Sequence, residues 1–246
     1  MKFAVISDIH GNFLALEAVL DDMSRLGVSE AVNLGDHFSG PLEARKTADL
    51  LMTKKFPSIR GNHDRQLLEQ QPNEMGASDK VAFDQLEQKH IDWLSDLPPT
   101  MMYKDEVFLC HGTPISDLSY WLETVTQNAE IHITPIEEIE EEAEDINATL
   151  ILCGHTHIPR CVELRDGRKI VNPGSVGAPG YDDDTPVYHL MQAGTPDASY
   201  AIVEKTGARW DVTFRLVPYD NVSMSVLAQE NGRDEWASAL ATGWVR

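Results

Sequence analysis

Short apolar runs that break off at a glycine and a polar side chain punctuate the first 160 positions of the chain. Phe3 to Ser7 has the length of a buried strand and stops at Asp8. Asn12 can cap the helix that follows, where Leu16, Val19, Leu20 and Met23 keep helical spacing until Gly27 ends it. Ala31 to Leu34 predicts a second strand running into Gly35-Asp36, Pro41 opens a helix reaching about Lys55, and Pro57 to Arg60 predicts a third strand. Such a βαβαβ alternation implies parallel pairing with right-handed crossovers. Ligands then collect at the carboxyl ends of the strands.

Beyond this unit, residues about 64–97 read as a helical insert, with Val81, Phe83, Leu86, His90, Trp93 and Leu94 near one face until Leu97-Pro98-Pro99 stops it. Strands resume at Met101 to Tyr103 and Val107 to Cys110. An acidic helix over about 135–146 keeps Ile136, Ile139, Ala143 and Ile146 on one side, and its charges form a solvated face. Strands then dominate: Leu150 to Cys153, Arg160 to Leu164, an Asp166-Gly167 hairpin turn, Lys169 to Val171, Val187 to Met191, Tyr200 to Glu204 and Trp210 to Leu216. Two weaker helices close the chain over about 221–242. No repeat or linker divides this pattern, so residues 1–246 are expected to form one domain of two packed sheets with outer helices.

Composition narrows the function. With 42% hydrophobic residues the chain can bury a large core, and 20 basic against 40 acidic side chains give a formal charge of −20. That field repels polyanions and offers no basic track for nucleic acid. A phosphate substrate therefore needs local attraction, which bound divalent cations supply. Three cysteines without a CxxC pair do not suggest a disulfide framework. Cys110 and Cys153, at the ends of apolar runs, are expected in the core. A short apolar run interrupted at Asp8 does not fit a secretory signal, and no apolar stretch reaches about 18 residues. The expectation is a cytoplasmic protein with no membrane partner.

Candidate chemistry gathers at the run ends. Ser7-Asp8-Ile9-His10-Gly11, Gly35-Asp36, Arg60-Gly61-Asn62-His63-Asp64, Cys110-His111-Gly112 and Gly154-His155-Thr156-His157 all present oxygen or imidazole donors beside glycine. On a strand, residues two apart share a side, so Asp8 with His10, and His155 with His157, can each aim two donors into one cavity. Carboxylate, amide oxygen and imidazole together suit a divalent first-row metal better than a thiolate-type structural zinc. Taken singly, Asp8 and Asp36 could cap helices, His111 could be a hydrogen-bonded core histidine and Asn62 a turn residue.

The whole series, Asp8-x-His10, Gly35-Asp36, Gly61-Asn62-His63-Asp64, His111-Gly112 and Gly154-His155-x-His157, resembles the signature of the calcineurin-like metallophosphoesterase superfamily. The blocks Ser7 to Asn12, His111-Gly112-Thr113-Pro114 and Asn172-Pro173-Gly174-Ser175-Val176-Gly177 resemble its compact prokaryotic phosphodiesterase branch. The resemblance implies a four-layer αββα sandwich, two mixed β-sheets flanked by helices, with the metal site at the strand C-terminal ends. It implies one metal held by Asp8, His10, Asp36 and His157 and a second held by Asp36, Asn62, His111 and His155, with Asp36 bridging. Manganese is the expected metal, and Fe, Zn, Ni and Co suit the same donors. It further implies hydrolysis of a small phosphodiester by in-line attack of a metal-bridging hydroxide, with His63 as general acid and Asp64 as its orienting partner.

Several residues keep two readings. Asn12 contacts substrate or caps a helix, His37 touches substrate or is a loop side chain, and Tyr120 and Trp121 stack on a base or belong to the core. The segment Ala178-Pro179-Gly180-Tyr181 leads into Asp182-Asp183-Asp184, where relatives often carry a basic residue. Lying over the site, it would disfavour nucleotide polyphosphates. The competing function is a non-catalytic scaffold of the same fold, as one retromer subunit is; that relative lacks the catalytic histidine, and His63 argues for an enzyme. A nuclease would need a basic track or capping domain, and neither is visible. The expected partner is a small phosphoester, and no oligomeric state is implied.

Overall fold

The computed structural model describes residues Met1–Arg246. In chain order the strands are β1 (Lys2–Ile6), β2 (Ala31–Asn33), β3 (Met101–Tyr103), β4 (Val107–Leu109), β5 (Glu123–Val125), β6 (Ile131–Ile133), β7 (Leu150–Leu152), β8 (Arg160–Glu163), β9 (Lys169–Asn172), β10 (Gly180–Asp183), β11 (His189–Gln192), β12 (Ala198–Thr206) and β13 (Arg209–Val217). The helices are α1 (Phe13–Arg25), α2 (Ala44–Lys54), α3 (Asn62–Glu69), α4 (Ala77–Gln85), α5 (Gln88–Ser95), α6 (Ile136–Glu142), α7 (Asn221–Glu230) and α8 (Asp234–Thr242).

Two mixed sheets form the centre, one in the order β13-β12-β1-β2 and the other β3-β4-β7-β9-β8. The alternation along β1 explains how they stack. Phe3 and Val5 point into the inter-sheet layer with Val32, Leu109, Leu152, Val171 and Val203, while Ala4 and Ile6 point outward to α1 and its neighbours. On the outer face of the second sheet, Ile139 and Ala143 of the α6 region pack with Ile151 and Ile170. The result is the expected αββα sandwich. Each large side chain sealed in the middle layer contributes about 1.5–3 kcal/mol of transfer free energy. No helix is long and apolar enough to cross a membrane.

Parallel pairing of β1 with β2, and of β4 with β7 and β7 with β9, sets five loop exits at one end of the two sheets. These exits carry the chemistry.

Some elements depart from expectation. The third strand reduces to one bridge, Asn33 with Ser58, because Pro57 has no N–H to extend a ladder. Helix α2 starts at Ala44, three residues beyond Pro41, because the chain first wraps over the β1 loop, with Glu43 N–H donating to Gly11 O. The helical insert is three helices: Pro72 and Gly76 separate α3 from α4, and extended backbone at Leu86 and Glu87 separates α4 from α5. The hairpin β5–β6 and strand β10 were not expected; Asp182 and Asp183 are poor strand formers, and β10 forms by pairing with β11. Cys110 and Cys153 are buried, Cys161 is exposed on β8, and all three are free.

Candidate metal centre

Five of the clustered side chains sit on left-handed backbone: Asp8 (φ 56°), His10 (φ 51°), Asp36 (φ 54°), His155 (φ 69°) and His157 (φ 60°). The strand-alternation argument for Asp8 with His10 and His155 with His157 is thereby corrected. Both pairs lie beyond the ends of β1 and β7, and tight loops rather than pleating turn their side chains inward. Glycines make room for this. A Cβ on Gly61 would stand 2.2 Å from Asp36 Oδ1, and one on Gly35 would stand 2.3 Å from the Gly61 nitrogen.

Backbone carbonyls aim the imidazoles. His10 Nδ1 donates to Ser39 O (2.7 Å), His111 Nδ1 to Leu34 O (2.8 Å) and His157 Nδ1 to Ala178 O (2.6 Å). A carbonyl can only accept, so each Nδ1 carries a hydrogen and each Nε2 is the nitrogen turned inward. There His10 Nε2 and His157 Nε2 lie 3.2 Å apart. Asp8 Oδ1 lies 3.3 Å from His157 Nε2 and 3.9 Å from His111 Nε2, is fully buried, and has no hydrogen-bond partner. Around the neighbouring point, His111 Nε2 lies 3.2 Å from Asp36 Oδ2 and 3.1 Å from Asn62 Oδ1. Imidazole nitrogens, an amide oxygen and a partnerless carboxylate oxygen converging on one place suit cations. Two groups, Asp8 with His10 and His157, and Asp36 with His111 and His155, each have their donor atoms within 4.8 Å of one another and could each hold a metal ion.

The electrostatics match this crowding. Burial pushes Asp8 up, but the neighbouring His157 and His111 outweigh it and bring the carboxyl down to about 2. Asp36 is likewise raised by burial and more than compensated by His111 and His63, ending well below the usual carboxylate range. Burial alone would lower His111, yet Asp36 and Asp8 raise it to about 10. His10 and His155 follow the opposite course, lowered to about 4 by burial first and then by neighbouring imidazoles.

A cavity of about 430 Å³ opens over the cluster. His10, Asp36, Asn62, His63, His155 and His157 line it, together with Gln66, Ser78, Leu118, Tyr181, Asp182, Asp183, Thr185, Arg233 and Trp236. His63 stands on the first turn of α3, its own N–H donating to Asp36 Oδ1 (2.9 Å). Its Nδ1 faces Asp79 Oδ1 of α4 at 2.9 Å and Ser39 Oγ at 3.3 Å. Burial lowers this imidazole, but the charges of Asp36 and Asp79 raise it to about 9.

One expected role changes, that of Asp64, and the two readings kept for His37 and for Asn12 each reduce to the one without substrate. Asp64 does not orient His63; its carboxylate accepts from the N–H groups of Asp36 (2.8 Å), His37 (3.0 Å) and Gly61 (2.9 Å) and from His37 Nδ1 (2.7 Å). As the third residue of α3 it reaches back to the residue before the helix, the usual geometry for satisfying a free N-terminal N–H. His37 does not face the cavity, because that bond turns its ring into the core against Phe38 and Trp93. Asn12 does not face it either: its Oδ1 caps α1 at Ala15 N–H, while Nδ2 donates to Gly177 O and Tyr219 OH.

Of the remaining residues, Trp121 is core, donating to Ile139 O, and Tyr120 packs behind His155 with ring centroids 5.1 Å apart. Arg65 is committed to Asp117 through two hydrogen bonds. Asp183 accepts from Tyr120 OH (3.3 Å) and Thr185 N–H (2.8 Å). Ser39, Gln66, Ser78, Asp79, Arg233 and Trp236 were not anticipated. No local pattern marks Asp79 or Arg233, since each reaches the site only through tertiary packing of a helix.

Residues 1–195 match the calcineurin-like phosphoesterase superfamily domain, and the chain belongs to that metal-dependent superfamily. Its structure is similar to that of a metallophosphoesterase from Sphaerobacter thermophilus, 28% identical, with 99% of this chain and 100% of that chain covered and a TM-score of 0.75. A hypothetical protein from Pyrococcus horikoshii shares the fold at 21% identity, covering 100% and 99% of the two chains, TM-score 0.75. An uncharacterized protein from Methanocaldococcus jannaschii is 25% identical over 259 residues, 95% of this chain and 94% of its own.

Proposed function

We propose that this phosphoesterase hydrolyses a small phosphodiester, with His63 as the general acid that protonates the leaving oxygen. The observation that carries the reading is the placement of His63. It lines the cavity next to the ligand cluster, and Asp79 occupies Nδ1, so Nε2 is the nitrogen left to face substrate. Asp8, His10, Asp36 and His157 would hold one divalent cation, and Asp36, Asn62, His111 and His155 the other, with manganese expected. When bound, such a pair supplies an activated water and neutralises charge on the phosphoryl oxygens.

The chain's own residues do the rest. Asp79 and Ser39 hold the imidazole plane, and the α3 N-terminus fixes Asp36 through the His63 N–H. Asp182 and Asp183 line the cavity, which supports a singly charged reacting phosphoryl group, that of a diester, over the doubly charged one of a monoester. Arg233 and Trp236 complete the wall from the C-terminal helices, which supports treating residues 1–246 as one catalytic domain.

The test is turnover of a phenyl phosphodiester, whose leaving oxygen needs a proton, by protein loaded with manganese. Hydrolysis is expected, and His63→Ala should lower kcat by roughly 10²–10⁴-fold. Equal rates in both proteins would remove the general-acid role, and two metals still bound by Asp36→Ala would remove the bridging assignment.

A further inference from the structure

Arg233 and Trp236 lie outside the family-matched residues 1–195, yet both line the cavity. Arg233 Nη1 donates to Ser78 Oγ at 2.6 Å and Nε to Glu235 Oε1 at 2.5 Å. Ser78 immediately precedes Asp79, the carboxylate that holds His63. One turn of α4 therefore anchors both the imidazole and the guanidinium. Arg233 thus shares the cavity with His63, its anchor one residue from the carboxylate that holds the imidazole.

An arginine presents five N–H donors. Two are taken by Ser78 and Glu235, leaving three without a protein acceptor. The two anchors fix the plane of the guanidinium, so its free edge is set for a planar or tetrahedral oxyanion. It is the only arginine or lysine among the 15 cavity-lining residues, where Asp182 and Asp183 would repel a further negative charge. Arg233 is the residue that precedes α8, and on the first turn of that helix Trp236 lines the same cavity with an apolar ring, its centroid 5.7 Å from that of His10.

We propose that Arg233 and Trp236 form a leaving-group subsite: the departing alcohol or phenol lies against Trp236 and carries an oxyanion, carboxylate or phosphoryl, that takes the free edge of Arg233. This rests on the phosphodiesterase reading and adds to it the class of substrate. The chemistry is unchanged. A water oxygen bonds to phosphorus as the phosphorus–oxygen bond to the leaving group breaks; the proton from His63 goes to the departing oxygen, and the proton that the water loses replaces it.

Methyl 4-carboxyphenyl phosphate, methyl 4-phosphonophenyl phosphate and methyl 4-carbamoylphenyl phosphate share one scissile bond, and the amide is the uncharged isostere of the carboxylate. The manganese-loaded protein should favour one or both anionic esters over the amide by about tenfold or more in kcat/KM, the scale of one charge-assisted hydrogen bond. The preferred arm tells carboxylate from phosphoryl. Arg233→Gln should abolish the preference and Arg233→Lys should keep part of it. No preference in the native protein, or an equal fall on all three esters in both variants, would overturn the subsite, the latter because Arg233 would then serve the reacting phosphoryl group or the fold.

Turnover of none of the three would instead count against the phosphodiesterase reading. The subsite is then decided by calorimetry on the metal-free protein. Binding of 4-hydroxyphenylphosphonate that weakens about tenfold in Arg233→Gln supports it. Absent binding, or equal binding in both proteins, overturns it.

Discussion

His37 and His63 each follow a residue of the metal cluster, Asp36 and Asn62, and each meets an aspartate, Asp64 at 2.7 Å and Asp79 at 2.9 Å. Read locally the two pairs are alike. Packing separates them: the His37 ring is fully buried against Phe38 and Trp93, with Nε2 unpartnered, whereas one third of the His63 side chain is open to the cavity. Asp64 also accepts three backbone N–H groups, which makes the first pair a brace for the loop holding Asp36. Asp79 touches only the imidazole of the second pair through a single bond. A histidine–aspartate contact thus acquires its role from where the second imidazole nitrogen emerges.

Asp64→Ala strikes the brace and should have the largest effect. It leaves a buried imidazole and three buried N–H donors without an acceptor, for a loss of about 3–5 kcal/mol in unfolding free energy by denaturant titration. A smaller loss than Asp79→Asn causes would reverse the contrast. Asp79→Asn should leave stability near that of the native protein and lower kcat on a phenyl diester by about 10–100-fold, with KM little changed. The deficit should shrink with a 4-nitrophenyl leaving group, which departs without a proton; a uniform deficit across leaving groups would make Asp79 structural. His37→Phe should have the smallest effect. It removes a bond to Asp64 along with an unpartnered nitrogen, so a stability change within about 1 kcal/mol is expected, and kcat should stay at the native level. A kcat loss comparable to that of Asp79→Asn would place His37 in the chemistry.

The sequence showed far more of the donors than of what orients them. Asp8, His10, Asp36, Asn62, His63, His111, His155 and His157 stand out because each ends an apolar run beside glycine, and the structure brings all eight to one place. The two-sheet architecture was similarly legible, since runs such as Phe3 to Ser7 and Leu150 to Cys153 can only be buried. Asp79 and Arg233 were not legible, because α4 and the turn that precedes α8 deliver them across 16 residues from His63 and 155 residues from Ser78. Asp64 departs from its expected role for a related reason. Adjacency to His63 suggested a partner, whereas on α3 neighbouring side chains diverge by about 100° and Asp64 turns toward Gly61 and His37.

The left-handed backbone at Asp8, His10, Asp36, His155 and His157 has an evolutionary consequence. At about 1–3 kcal/mol each, their combined strain is of the order of the roughly 5–15 kcal/mol by which a domain exceeds its unfolded state. Aspartate and histidine tolerate that conformation better than most residues, which moderates the burden without removing it. The sandwich must therefore be more stable than an inert protein of its size requires. A lineage released from selection for catalysis would gain robustness by replacing these positions with glycine, so their persistence in a chain marks continued use of the site.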